Sequence, residues 1–393
     1  MRLTLEAPHA VREITERLEQ AGFSTWAVGG AVRDALLGAD APGPHLPGDW
    51  DLATQARPEQ VRHLFRRTVP IGIEHGTVGV LANDNVLYEV TTFRRDVETT
   101  GRHAVVAFAE TLDEDLARRD FTLNAIAWHA LSGEVRDPYR GLADLRDRLL
   151  RTVGEPSERF AEDYLRVLRA LRFAGHFGLQ IDDRTWSSLQ AATSQLVRLS
   201  AERVREELWK IFSKTPRASV ALRLYAESGS LAVLLPELSP LHGLHPQEGH
   251  PLDAWAETLA ALDALPTRRP LLRMTALLHK VGMPLARQRD LRGGWRFTGH
   301  EVMGARKAEE IMRRLKASNA DTEQVVALIA RQSLLPPPDA PDAGLRRWLL
   351  YVPPALVRDL YRLRLALWRA RPVPNGDRDL IARWRRIHAI LLR

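Results

Sequence analysis

Nearly every segment that reads as a β-strand lies before about residue 146, and this asymmetry decides what the chain can fold into. Strands are expected at 23–28, 50–53, 78–81, 86–93 and 104–108, the third and fourth forming a hairpin around Asn83-Asp84-Asn85. Between them, Val11, Ile14 and Leu18 recur at helical spacing with Gly22 as the stop, and a helix over 31–37 follows Gly29-Gly30. Beyond 146 the strand signals almost vanish and long amphipathic helices take over, among them 160–177 and 201–212. A sheet must therefore be completed inside the first segment, while everything after it packs helix on helix. The expected class is α+β, in four parts: a mixed α/β head (1–146), a helical neck (147–235), a helical body (236–335) and a helical tail (336–393). The body begins in a Gly/Pro cluster at 236–251, and the tail follows the Pro336-Pro337-Pro338 linker.

Composition narrows the function by exclusion. No run of about 18 apolar residues exists, so no membrane span is expected. Glu6, Glu13, Glu16 and Glu19 crowd the N-terminus, which suits neither a secretory signal nor a transit peptide, and a cytoplasmic protein is the expectation. With no cysteine in 393 residues, disulfides and thiolate metal sites are excluded. The net charge of +7 is modest, but its distribution is not. Residues 344–393 hold twelve arginines and three aspartates, which fits either a phosphate-binding surface or a solvated helical one.

Two short motifs carry chemistry. In Gly48-Asp49-Trp50-Asp51-Leu52, strand alternation points Asp49 and Asp51 to the same face. Paired carboxylates of this kind hold Mg²⁺ together with substrate phosphates. About twenty residues earlier, Gly29-Gly30 lies between a strand and a helix start that includes Arg33. That arrangement cradles phosphate, because backbone N–H groups and the helix terminus favour anions. A third feature is the 160–177 helix, where Arg166, Arg169 and Arg172 share a flank and only Asp163 on that helix balances them. A face so charged suits an anion or a base edge.

Five stretches, in order, resemble the class II tRNA nucleotidyltransferase and bacterial poly(A) polymerase family, of the polymerase-β-like superfamily. They are GGAVRD (29–34), GDWDLAT (48–54), YEVTTFR (88–94), DLARRDFTLNAIA (115–127) and EDYLRVLRALRF (162–173). The resemblance covers roughly 20–215. It implies an enzyme that uses Mg²⁺ with CTP and ATP to extend the 3′ end of tRNA, releasing pyrophosphate. Asp49 and Asp51 match the catalytic metal ligands, and Gly30 and Arg33 the triphosphate contacts. Arg119 matches a nucleotide contact, while Asp120 and Asn124 fall in the segment used near the ribose. Asp163 and Arg166 match the pair that reads the incoming base, and Arg169 and Arg172 match further nucleotide contacts. Glu89 would supply a third carboxylate or pair with Arg94 or Arg95.

Pro70-Ile71-Gly72-Ile73-Glu74-His75-Gly76-Thr77-Val78 resembles the tRNA-repair branch rather than the poly(A) polymerases. Full CCA addition is expected, with a CC-adding or A-adding specialist, a poly(A) polymerase or an inactive RNA-binding homologue as alternatives. The connection at 95–114 is short, and it reads Gly101-Arg102-His103-Ala104 where the family often has proline, which points toward the CC-adding alternative. The body resembles an HD phosphohydrolase domain, but its expected His-Asp pair is His279-Lys280 and a further family histidine is Glu257. No working metal site is expected there, and His279 and His300 read as structural.

Overall fold

The computed structural model describes residues 2–37, 50–99, 104–245, 251–289, 291, 294–337, 339–370 and 377–391. They cluster into two compact units: Met1–Ala170 with Phe177–Ala192, and Leu171–His176 with Thr193–Arg393.

The first unit opens with α1 (His9–Gln20), β1 (Thr25–Val28), α2 (Gly30–Leu37), β2 (Asp51–Thr54) and α3 (Pro58–Leu64). Strands β3 (Thr68–Gly72), β4 (Thr77–Leu81), β5 (Leu87–Thr92), β6 (Arg94–Thr99) and β7 (Ala104–Phe108) follow, then α4 (Leu112–Ala117), β8 (Ala127–Trp128), β9 (Val135–Arg136) and α5 (Gly141–Arg146). Seven strands form one sheet in the order β3-β4-β5-β2-β1-β8-β9. In it β2 and β5 run parallel and the other neighbours antiparallel. Val28, Ala53, Phe93, Leu116, Ala127 and Val153 pack into a core cluster. α1 buries Val11, Ile14 and Leu18, and Gly22 follows it at φ 88°, the left-handed conformation glycine adopts without a Cβ penalty.

The structure adds strands that the sequence reading did not expect, namely β3, β8 and β9 in the main sheet and a parallel pair, Leu149–Leu150 with Gln180–Ile181, within the neck; two further departures bear on the site. The 95–114 stretch is mostly a β-hairpin, with β6 pairing antiparallel to β7. Only its second strand was expected, because Arg94 and Arg95 mask the alternation of the first. The motif residues Gly101 to His103 lie outside the described residues. The helix expected at 160–177 is broken into α6 (Pro156–Glu162) and α7 (Leu165–Phe177). Asp163 sits between them in an extended conformation (φ −155°, ψ 107°), and its Oδ1 accepts the backbone N–H of Leu165 at 3.0 Å. Asp competes with helical bonding in this way, and the apolar periodicity conceals it.

Among the described residues the second unit is helical apart from two paired two-residue strands, Gln288–Arg289 with Trp295–Arg296. Arg273 is 1% exposed and donates to the carbonyls of Phe212, Thr215, Pro216 and Leu265. One guanidinium thus satisfies carbonyls left open where helices end. No helix among the described residues is long and apolar enough to cross a membrane.

Candidate active site

The β1–α2 turn organises the site in the first unit. Pairing of Val28 with Asp51 places the exposed Asp51 beside this turn. Gly29 adopts φ 76°, and a Cβ there would lie 3.4 Å from Arg119 Nη1 and 3.7 Å from Asp51 Oδ2. An acid and a guanidinium therefore converge on a backbone that only glycine forms without strain. A Cβ on Gly30 would lie 3.6 Å from Arg33 Nη2. Arg33 is buried; its Nη1 donates to Asn124 Oδ1 and its Nε to Asp34 Oδ1, each at 2.7 Å. Its guanidinium carbon stands 4.5 Å from the centre of the Phe177 ring, a cation–π contact.

The β2–β5 register pairs Leu52 with Val90, both buried. One residue earlier in each strand, Asp51 and Glu89 are neighbours on the other face, and both are exposed. Asp49 lies outside the described residues, as does the 38–49 segment before it. Among the described residues no cluster of three or more metal-binding side chains occurs. The donors at hand are carboxylate oxygens, which suit a hard divalent cation and not a thiolate- or imidazole-seeking one.

A buried network stands behind the turn. Asp115, fully buried, accepts Arg118 Nε and Nη2 at 3.1 and 2.9 Å, Arg119 Nη2 at 2.9 Å and the Arg94 backbone N–H at 3.3 Å. Burial opposes its charge, but the guanidiniums of Arg119 and Arg118 outweigh this and hold the carboxyl below its ordinary range. Arg119 Nη1 reaches the Asn124 carbonyl at 3.4 Å. Asp120 Oδ1 accepts from Phe121 N and Asn124 Nδ2, both at 2.9 Å, while its Oδ2 takes Arg169 Nε at 2.7 Å. Burial would again raise this carboxyl, yet the Arg169 charge and these hydrogen bonds pull it down to about 2. Asn124 therefore bridges Arg33 and Asp120. Sequence reasoning gave Asp115 no role, although its spacing of four residues to Arg119 on a helical pattern was the available signal.

The expectation that only Asp163 balances the three arginines is corrected. Arg166 pairs with Glu162 and donates to the carbonyls of Arg159 and Arg118 at 3.0 and 3.3 Å. Arg169 pairs with Asp120. Arg172, in the second unit, donates from Nε to Glu207 Oε2 at 2.6 Å, and Lys210 holds the other oxygen at 2.9 Å. Glu162 lies four residues before Arg166 on the expected helix and was overlooked there, while Asp120 and Glu207 lie 49 and 35 residues away on other elements, where a helical wheel does not count them.

In the second unit, Lys280 and Glu257 are both buried and form a direct ion pair. The ammonium sits against the carboxylate where the HD resemblance called for a metal. His279 is buried with Nδ1 2.6 Å from the Ala276 carbonyl, and His300 Nδ1 lies 2.9 Å from the Phe297 carbonyl.

The poly A polymerase head domain model matches residues 25–151, and the model for the probable RNA and SrmB-binding site of polymerase A matches 178–241. A CCA-adding enzyme of Geobacillus sp. (strain WCH70) is 43% identical over 227 residues, 57% of this chain and 54% of that protein. The chain spans about half the length of the relatives matched in this way. The crystal structure of Bacillus stearothermophilus CCA-adding enzyme in complex with CTP is 30% identical, with a TM-score of 0.70 over 97% of this chain and 82% of that one. A tRNA nucleotidyltransferase complexed with a primer tRNA and an incoming ATP analog shares the fold at 21% identity, with a TM-score of 0.65 over 97% and 100% of the two chains. With the poly A polymerase head model matched over residues 25–151 and a 30% identical relative matched along most of its length, the chain belongs to the tRNA nucleotidyltransferase and poly(A) polymerase family.

Proposed function

We propose that the chain adds nucleotides from CTP and ATP to the 3′ end of tRNA, building the CCA end without a nucleic-acid template. The observation that carries this reading is the convergence of Asp51 and Arg119 on the Gly29 turn. Asp49 and Asp51 would hold Mg²⁺, with Glu89 beside Asp51. When bound, that ion lowers the pKa of the attacking hydroxyl and neutralises charge on the phosphates. The backbone of Gly29-Gly30 cradles the triphosphate, with Gly30 and Arg33 as contacts and Arg119 alongside. Asn124 and Asp34 orient Arg33, and Asp115 orients Arg119, so neither guanidinium needs to reorganise when the nucleotide arrives. Asp163 and Arg166 face the base edge, and Glu162 fixes the Arg166 side chain. Arg169 and Arg172 are the outer nucleotide contacts and exchange Asp120 and Glu207 for phosphate. tRNA, CTP and ATP are the partners in this reading.

The test uses the full chain, Mg²⁺, CTP, ATP and a tRNA transcript lacking its last three nucleotides. Products ending in CCA support the complete activity. Products stalled at CC assign the chain as a CC-adding specialist, which the short 95–114 hairpin favours. Asp49→Asn with Asp51→Asn should abolish incorporation and leave tRNA affinity nearly unchanged. Undiminished incorporation by that variant refutes the site, and absence of pyrophosphate release by the unaltered protein identifies an inactive homologue.

A further inference from the structure

The C-terminal helices line a partly open cavity that contains none of the candidate site residues. On the Pro354–Arg369 helix, Arg358, Tyr361, Arg362 and Leu365 recur at i, i+3, i+4 and i+7 and so share one face. On the Asp377–Leu391 helix, Leu380 and Trp384 face them. Together they line a cavity of about 170 Å³. A dry cavity of roughly 150 Å³ holds a benzene molecule, so this one admits a single flat ring.

Its walls are aromatic. The Tyr361 ring lies 5.4 Å from that of Trp384. The Tyr361 hydroxyl is buried, with no hydrogen-bond partner among the described residues. A buried donor in this state calls for an acceptor. Its rim is cationic. Arg358 is exposed and makes no ion pair among the described residues, and Arg362 is held loosely by Asp359 at 3.3 Å. The segment around it, 344–393, carries twelve arginines against three aspartates. A flat ring that brings acceptors and a nearby negative charge meets all of these features. An apolar peptide side chain meets only the first.

We infer that this cavity takes one unstacked nucleobase of the RNA, stacked against Trp384 and Tyr361, with an adjoining phosphate on Arg358. The inference rests on the reading that the chain acts on RNA, and the experiment separates the two. Binding of a fluorescent tRNA transcript lacking its last three nucleotides is measured by anisotropy across a salt series with the full chain. Trp384→Ala should weaken binding about 5- to 160-fold, the range found when one stacking partner is removed, with the salt slope unchanged. Trp384→Phe should restore most of it. Arg358→Gln should instead lower the slope of log K against log salt by about 0.7–0.9, one phosphate contact. Leu365→Phe fills the cavity from within and should weaken binding while melting no lower than the parent, which decides the matter if Trp384→Ala fails to fold. Binding by the Trp384→Ala and Leu365→Phe variants within about twofold of the parent overturns the base pocket. So does an equal loss for heparin, a polyanion without bases. Failure of the unaltered chain to bind the transcript overturns the RNA reading itself, and the base pocket with it.

Discussion

Asp120→Asn probes the network behind the β1–α2 turn with a charge change and almost no change of shape. The Asp120 carboxyl falls from 3.8 to about 2 in the folded chain, and at 1.36 kcal/mol per unit this corresponds to about 2 kcal/mol of stability at neutral pH. Because the folded value lies below the unfolded one, this contribution is complete above about pH 5 and is lost as pH falls toward about 2, with nearly half gone by pH 3. The variant also leaves Arg169 without its acid, but that side chain is 31% exposed and keeps part of its hydration. The expected deficit at pH 7 is therefore about 2–3 kcal/mol, below the 3–5 kcal/mol seen when a fully buried pair is broken. Urea titrations read by pulsed amide exchange in peptides covering 112–128 report on the first unit alone. The deficit should shrink by about 1 kcal/mol between pH 7 and pH 3, since other carboxylates titrate alike in both proteins and cancel. A deficit that stays constant or grows toward pH 3 refutes the assignment of this stability to the ionised pair.

Other outcomes follow from single contacts. Gly29→Ala forces a Cβ into a left-handed turn 3.4 Å from Arg119 Nη1; it should cost about 1–2 kcal/mol and lower nucleotide incorporation more than tRNA binding, as primer-extension and anisotropy assays would show. Lys280→Met strands the buried Glu257 carboxylate and should cost about 3–5 kcal/mol, whereas Lys280→Met with Glu257→Leu should recover most of that loss in thermal denaturation. A double variant as unstable as the single one would show that the loss does not come from the stranded Glu257 carboxylate. The same ion pair leaves no open cation site, so the chain should not hydrolyse nucleotide monophosphate esters; hydrolysis abolished by His279→Ala would contradict this.

The fold was legible where the signal was local. Val11, Ile14 and Leu18 specify α1 by spacing alone, and Gly22 ends it, because a helix reports its buried face in one short window. The hairpin of β4 and β5 was equally visible around Asn85, which takes φ 60° as a turn asparagine does. The candidate site was legible as a set of motifs, since Gly29-Gly30 and Asp51 carry chemistry that few other residue types supply and the family resemblance added Arg119. What connects the motifs was not legible. Whether Arg169 and Arg172 are open to a ligand depends on acids that only the tertiary fold brings near, whereas Glu162, four residues before Arg166, was a local signal; in the structure Glu162, Asp120 and Glu207 engage all three.

That pairing alters how the arginine face can work. An unpaired row of guanidiniums would bind any anion, including RNA phosphate at random, through long-range attraction alone. Once each is held by a carboxylate, a ligand gains only the difference between its own contacts and those it displaces, so affinity falls and discrimination rises. Arg169 illustrates the threshold: a phosphate must offer more than Asp120, whose Oδ2 accepts a charge-assisted hydrogen bond from Arg169 Nε at 2.7 Å and lies 2.6 Å from Nη2. The break at Asp163 serves the same end. An unbroken helix would fix Asp163 and Arg166 at i and i+3 on one face, where they would pair with each other. The extended Asp163 caps α7 instead, and Arg166 turns to Glu162, so the two proposed base-reading groups are positioned by different partners. A protein that selects a base by its own side chains has to keep its donor and its acceptor from satisfying one another, and a cap residue at a helix break achieves that with one backbone hydrogen bond.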